Sequence, residues 1–428
     1  MKNYLISCLR GGIRAHSKVL SNGIWMYVMQ FFNTVIPLLT IPYITRILGK
    51  TEYGVFSIAL NVIGYLQVLI EYGFIMSASR KVATYNEEHI EINSIFNNVI
   101  YSRLFLFSIS LFVSAIYTFI YSDDEKLCAC IYILCLGLLG YVVQQNWLFQ
   151  GKQDMRYISL INIIGRSIST LLIFFLVKTH YDILLYSLLY SISPFLSGFI
   201  GLIISFRKYG LRFLTPDFRG ILNELKQGFY VFTTSLSAKV FGTIGIAFLG
   251  LLSTKDIVGA FSAIQKIPSI ILLAWAPISQ LIYPIISKKM YKSKYEGYLF
   301  VMKLRKRILS IFIVLSLIFA LFSTQIVEIF LGAEYSIESI WLIPLLGWVL
   351  FGINNNFLGI QLLLTSGHDS LYSKCFHISV LFTITVNYIL ISIFDGLGAA
   401  IAPFISELFL STILIFNIKK ILCFRISG

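Results

Sequence analysis

Four basic side chains, Arg103, Arg166, Lys239 and Lys266, and one acid, Glu407, stand inside stretches that are otherwise apolar. An ionised group at mid-bilayer costs about 2.5–3.5 kcal/mol on insertion scales, so such residues usually face a bundle interior or a watery cavity. Their depth follows from a helical rise of about 1.5 Å per residue and a hydrocarbon core about 30 Å thick. Arg166 lies ten residues past Arg156, Lys239 thirteen past Lys226 and sixteen before Lys255, and Glu407 is equidistant from Asp395 and Lys419. These three are too deep to reach water. Arg103 and Lys266 sit nearer span ends, where a long stem can snorkel, and for them both orientations stay open.

Helical spacing puts polar residues beside these charges. Asn162, Arg166 and Ser169 share a face, as do Ser235 with Lys239, Ser262 with Lys266 and Ser269, and Pro403 with Glu407 and Ser411. A stripe of Asn22, Gln30 and Asn33, and the clusters Gln144-Gln145-Asn146 and Asn354-Asn355-Asn356, add amides. Two readings stand: a polar cavity, or buried pairs and amide contacts that only fix helix register, such contacts averaging about 0.6 kcal/mol. The sign of the charge favours the cavity. Glu71 and Glu328 fall near span ends, which leaves Glu407 as the one deep acid among several cations. A cavity with surplus positive charge suits an anionic substrate. Glu407 is a candidate for ion coupling, because a carboxylate out of water can change protonation during transport.

The elements that must position these groups are membrane spans. The chain has 428 residues, 57% hydrophobic and 13% charged, against a soluble average of roughly 25% charged. Taking about 20 apolar residues per crossing, twelve spans are expected, near residues 19–45, 54–78, 95–121, 127–149, 157–177, 183–206, 229–253, 258–286, 308–331, 340–364, 372–394 and 397–418. The basic N-terminus, Met1 to Lys18, leads into a first span too long for a cleaved signal and is read as retained. Lys and Arg in the tails and alternate connections number 25 on the N-terminal side and 5 (Arg46, Lys50, Lys126, Lys178, Lys255) on the other. That imbalance places both termini in the cytoplasm. The net charge of +14 is explained by this asymmetry, so nucleic acid is not an expected partner.

Gly54-Val55-Phe56-Ser57 and Gly259-Ala260-Phe261-Ser262 open spans two and eight at an offset of 205. The fold expected is therefore an all-α membrane protein of two six-helix lobes. They would be parallel repeats about a pseudo-two-fold axis along the membrane normal, with a central cavity. The lobes are residues 1–206 and 228–428, joined by a cytoplasmic linker at 207–227 that contains Pro216.

Enzyme chemistry finds little support. The five His are scattered, no metal site is expected, and no P-loop, nucleophile elbow or dinucleotide fingerprint occurs. The six Cys read as packing residues and Asp123-Asp124 as a solvated turn. The chain reads as a transporter with no cofactor, coupled to a proton or sodium gradient.

The run Pro42-Tyr43-Ile44-Thr45-Arg46-Ile47-Leu48-Gly49, followed by Glu52-Tyr53-Gly54 and, a span later, Glu71-Tyr72-Gly73-Phe74, resembles the N-terminal signature of the Wzx O-antigen flippases. Trp147-Leu148-Phe149-Gln150-Gly151 with Met155 is similar to that family's fourth-span ending, and Gly259 through Lys266 to its eighth. The resemblance implies the multidrug/oligosaccharidyl-lipid/polysaccharide exporter superfamily and the bacterial inner membrane. It also implies an undecaprenyl-pyrophosphate-linked oligosaccharide as substrate, in contact with membrane lipid, and association with polysaccharide polymerase and chain-length proteins. On that footing Arg166 and Lys239, with Arg103 and Lys266, would attract the pyrophosphate. Asn162, Gln144, Gln145, Asn354 and Asn355 would meet sugar hydroxyls. Arg46, at the outer end of span one, would take the phosphates late in the cycle or simply anchor its helix. The rival readings are a multidrug exporter of organic cations, which predicts an acidic cavity, a polymerase or ligase, which predicts one large outer loop, and a structural scaffold, which leaves the stranded charges unexplained.

Overall fold

The computed structural model describes the backbone of residues 2–84 and 89–426 and side chains over 21–84, 92–272 and 275–420. The basic cluster Lys2, Arg10, Arg14 and Lys18, together with Cys8, His16, His89, Cys423 and Arg425, lies outside the described side chains. The described residues are helical almost throughout and contain no strand. A lipid environment requires this, since a helix satisfies every backbone polar group within its own segment.

The chain begins with α1 (Lys2–Glu71), α2 (Phe74–Thr84), α3 (His89–Ile120), α4 (Glu125–Val143), α5 (Asn146–Gly151), α6 (Met155–Leu176) and α7 (Ile183–Tyr209). It continues with α8 (Phe218–Leu252), α9 (Lys255–Lys292), α10 (Lys294–Leu321), α11 (Ser323–Leu331), α12 (Leu342–Asn355), a π-helical stretch Asn356–Leu364, and α13 (Asp369–Ile426). Among the described residues nine helices are long and apolar enough to cross a membrane, or ten when α10 and α11, bent by 77°, form one broken span. Two of the nine, Ser21–Thr84 and Asp369–Lys420, have 64 and 52 residues, far longer than the roughly 20 that one crossing needs. Each is interrupted, at Gly49 (φ 73°) and at Asp395 (φ 53°). Read as two crossings each, they restore the expected twelve.

The breaks have local causes. Gly49 takes a positive φ that costs glycine nothing. Asp395 has a side chain, and the Ser253 hydroxyl donates to its carboxylate. Asp124 is the N-cap of α4, accepting from the Leu127 amide at 3.2 Å, rather than part of a merely solvated turn.

The chain forms two compact units. One comprises Met1–Pro37, Val62–Lys178 and Leu184–Leu236; the other comprises Leu38–Asn61, Thr179–Ile183 and Ser237–Gly428. The first buries Phe74, Phe96 and Trp147 in its core, the second Trp275, Phe357 and Leu410. Within the second unit the two Gly-x-Phe-Ser motifs meet. A Cβ on Gly54 would fall on the carbonyl oxygen of Lys255, and a Cβ on Gly259 on that of Lys50. Lys50 and Lys255 are themselves 205 residues apart, so the contact is reciprocal, as a pseudo-two-fold axis through this crossing requires. Thr51 and Asp256, one position further along each helix, hydrogen-bond across it.

Candidate functional site

In the first unit α4, α6 and α7 approach closely through small residues, the arrangement membrane helices favour. A Cβ at Gly140 would strike the Pro194 carbonyl, and one at Gly165 would lie 2.5 Å from the Ser197 hydroxyl. Beside this contact lies a cavity of about 400 Å³ whose walls include Asn33, Gln144, Asn146, Asn162, Arg166 and Ser197. Arg166 is half-buried and its Nη1 donates to the Asn33 Oδ1 at 2.6 Å. The side chain of Asn162, one turn earlier, donates to the Ile158 carbonyl at 2.7 Å. Arg166 is the only charged residue among the described walls of this cavity. A fixed guanidinium amid amides is equipped to bind an anion bearing hydroxyls.

Arg103 does not line that cavity. It is buried, and its Nη1 donates to the carbonyls of Tyr141 at 3.2 Å and Gln144 at 2.5 Å, with Val142 at 3.5 Å. These carbonyls lie at the C-terminus of α4, where helical partners run out and a cation is favoured. The guanidinium also lies over the Phe74 ring, 5.6 Å from its centroid. Gln145, fully buried with its Nε2 on the Val143 carbonyl at 2.8 Å, is likewise absent from the cavity wall. Gln144, the extended residue (ψ 129°) at which α4 ends, is among the residues of that wall.

A larger groove of about 850 Å³ lies elsewhere in the same unit, lined by Arg80, Lys81 and Glu224 among others. Lys81 is neutralised by Glu224 at 2.6 Å. With Arg80 the described lining still carries one net positive charge, the same as the Arg166 cavity, so charge alone does not rank the two.

The second unit holds the remaining expected residues in separate places. Lys239 on α8 and Lys266 on α9 are both half-buried and near enough to repel one another. Arg46 donates to the Ile329 carbonyl in the last turn of α11. Asn354, Asn355 and Glu407 join a hydrogen-bonded chain. Arg305 Nε donates to Asn354 Oδ1 (2.7 Å), Asn354 Nδ2 to Ser411 Oγ (2.9 Å), Ser411 Oγ to Asn355 Oδ1 (2.5 Å), and Asn355 Nδ2 to Glu407 Oε2 (2.6 Å). Every donor points the same way, from the guanidinium to the carboxylate, so each bond polarises the next. Arg305, within the basic run of residues 303–307, stands inside α10. Asn33 was on the amide stripe of span one, and only the fold reveals it as the partner of Arg166.

A bundle of apolar helices with charges lining internal cavities defines a polytopic membrane transporter. The chain belongs to the polysaccharide biosynthesis protein family, whose model matches residues 19–290, the kinship expected from the Pro42–Gly49 signature. It is 28% identical over 400 residues, 93% of this chain and 96% of the relative, to the "Putative O-antigen transporter" of Escherichia coli (strain K12). It is 24% identical over 394 residues, 90% of this chain and 80% of the relative, to the "Probable low-salt glycan biosynthesis flippase Agl15" of Haloferax volcanii. Among solved structures it superposes on the lipid II flippase MurJ with a TM-score of 0.74 at 14% identity, covering 94% of this chain and 87% of that one. That likeness establishes the fold.

Proposed function

We propose that this protein is a flippase that moves an undecaprenyl-pyrophosphate-linked oligosaccharide from the cytoplasmic to the periplasmic leaflet of a bacterial inner membrane. The observation that carries the reading is Arg166, oriented by Asn33 at 2.6 Å in a cavity whose other described walls bear amides and hydroxyls and no acid. A guanidinium binds pyrophosphate oxygens through paired N–H donors, and the amides bind hydroxyls next to them. The family match and the flippase relatives support the substrate class. A multidrug exporter of organic cations would need an acidic wall there.

In this reading the lobes, 1–206 and 228–428 with the linker 207–227, work by alternating access. Both termini are cytoplasmic, the orientation that the Lys and Arg asymmetry favours. Lys239 and Lys266, placed close together, form a second cationic step for the phosphates. Arg46 and Arg103 act through structure, holding helix ends. Glu407, with Oε2 bound by Asn355, takes up and releases the coupling cation. Once across, the repeat unit is delivered to polysaccharide polymerase and chain-length proteins.

The test is Arg166→Glu expressed in cells whose surface polysaccharide depends on this gene. Loss of polysaccharide display at an unchanged protein level is expected, with Arg166→Lys retaining part of it. Normal display at normal level by the Glu variant would overturn the reading. Glu407→Gln should uncouple transport from the ion gradient while leaving the protein level intact; gradient-driven transport by this variant would remove Glu407 from the coupling role.

A further inference from the structure

A second cavity, of about 580 Å³, lies wholly within the second unit, between α8, α9, α12, the π-helical stretch and α13. Resting on the flippase reading above, we propose that it is a subsite for an uncharged sugar ring of the oligosaccharide, apart from the phosphate-binding cavity that contains Arg166.

Its aromatic lining supplies flat apolar faces. Trp348, Tyr283 and Trp275 all contribute, the first two half-buried and so presented to an occupant. The C–H face of a pyranose is apolar and packs on such rings, while an aromatic residue with a polar edge also offers a hydrogen bond.

The polar groups are held in place with their outer ends uncommitted. The Gln361 Nε2 donates both hydrogens to Ser279, at 2.9 Å to its carbonyl and 3.0 Å to its hydroxyl. Its Oε1 is left buried without a partner. The Ser279 hydroxyl donates to Asn356 Oδ1 at 2.8 Å, which directs the Asn356 NH₂ away from that contact. Asn355 Nδ2 spends both hydrogens on Glu407, at 2.8 Å to the backbone carbonyl and 2.6 Å to Oε2, leaving Oε1, which lies toward Gly352 in the groove wall. The indole N–H of Trp275 is a further buried donor without a partner.

This set selects a ligand class. It mixes acceptors (Gln361 Oε1, Glu407 Oε1) with donors (Asn356 NH₂, Trp275 Nε1), and a hydroxyl is the group that both gives and accepts a hydrogen bond. A phosphate would meet the Glu407 carboxylate, and an ammonium would leave the donors unmatched. Buried polar atoms left unpaired cost about 1–3 kcal/mol each, so an occupant that met the two in this wall would recover part of that cost. The π-helical turn that carries Asn356, Ile360 and Gln361 is a form that recurs at functional sites. Gln361 and Trp275 both belong to the wall of this cavity.

The experiment uses the full-length protein in lipid nanodiscs and two separate probes. One is the lipid-free oligosaccharide repeat released by mild acid from the host's own surface polysaccharide; the other is inorganic pyrophosphate. Binding is read by isothermal titration calorimetry. The expected result is saturable binding of both, with Gln361→Leu and Tyr283→Leu each weakening the oligosaccharide at least tenfold, about 1.4 kcal/mol, and leaving pyrophosphate unchanged. Arg166→Gln should do the converse. Pyrophosphate binding by the Gln361 variant reports that it has folded, and the Tyr283 variant covers the case in which it has not. If pyrophosphate binds and the oligosaccharide does not, or if the oligosaccharide binds equally well to both groove variants, the subsite is overturned and the flippase reading stands. If neither probe binds the unmodified protein, both fall.

Discussion

Arg103 and Arg166 are the same residue type at membrane depth, and the structure gives them different work. Position along a span was legible in the sequence, because residues can be counted from the flanking loops. What meets a charge there was not, since that depends on which helix lies opposite. Arg103 faces the unravelled end of α4 and spends Nη1 on three of its carbonyls, whereas Arg166 faces a cavity and has Asn33 on Nη1. Arg103→Leu should therefore act on folding. It strips partners from buried carbonyls, at about 1–3 kcal/mol for each left unsatisfied. The expected outcome is a sharp fall in membrane-inserted, monodisperse protein, measured by fluorescence-detected size exclusion. Arg166→Gln in the same assay should match the unmodified protein. Arg305 shows the opposite failure of legibility: it lies in the basic run Lys303-Leu304-Arg305-Lys306-Arg307, and only its bond to Asn354 separates it from its neighbours.

At the scale of elements, long apolar stretches made the spans readable, and what they do not show is where a helix changes form inside a span without a proline or a polar loop. The fourth span is one apolar stretch, Glu125–Gly151, as expected, with an interruption at Gln144-Gln145, and the tenth, Ile337–Leu364, changes from α- to π-helix at the Asn354-Asn355-Asn356 cluster. At the first of these the Gln145 side chain takes the Val143 carbonyl and gives a backbone group an alternative partner, a signal that span counting does not use. The repeat was readable from four residues because glycine there is dictated by packing. Residues 38–61, inside the expected N-terminal lobe, cluster with the second unit through this crossing. Since the obstacle to a side chain at Gly54 or Gly259 is a backbone carbonyl, it cannot be relieved by a rotamer change. Gly54→Val and Gly259→Val should each cost about 3 kcal/mol, at the upper end for overpacking, and lower the yield of folded protein. By contrast, Gly242→Ala, where a Cβ meets nothing within 4 Å, should leave the yield unchanged. Equal yields for all three variants in the same membrane fraction would remove the crossing as a stabilising element.

For the whole molecule, the distribution of charge carries the orientation. The Lys and Arg excess on one side, 25 against 5, is spread over several connections, so no single misplaced boundary reverses it. The basic residues around Lys288–Arg307 occupy the ends of α9 and α10, which meet at Ser293, rather than a free loop. Orientation then becomes a measurement on two exposed tyrosines, Tyr181 between α6 and α7 and Tyr291 at the end of α9, which are 74% and 94% exposed. In a variant with all native cysteines replaced, a cysteine at position 291 should react with a membrane-impermeant maleimide only after the cells are permeabilised. A cysteine at 181 should react in intact spheroplasts. The reverse pattern would invert the molecule and with it the direction of substrate movement. Reaction of both cysteines from one side would mean an odd number of crossings has been miscounted between them, in the segment that includes α7, α8 and α9.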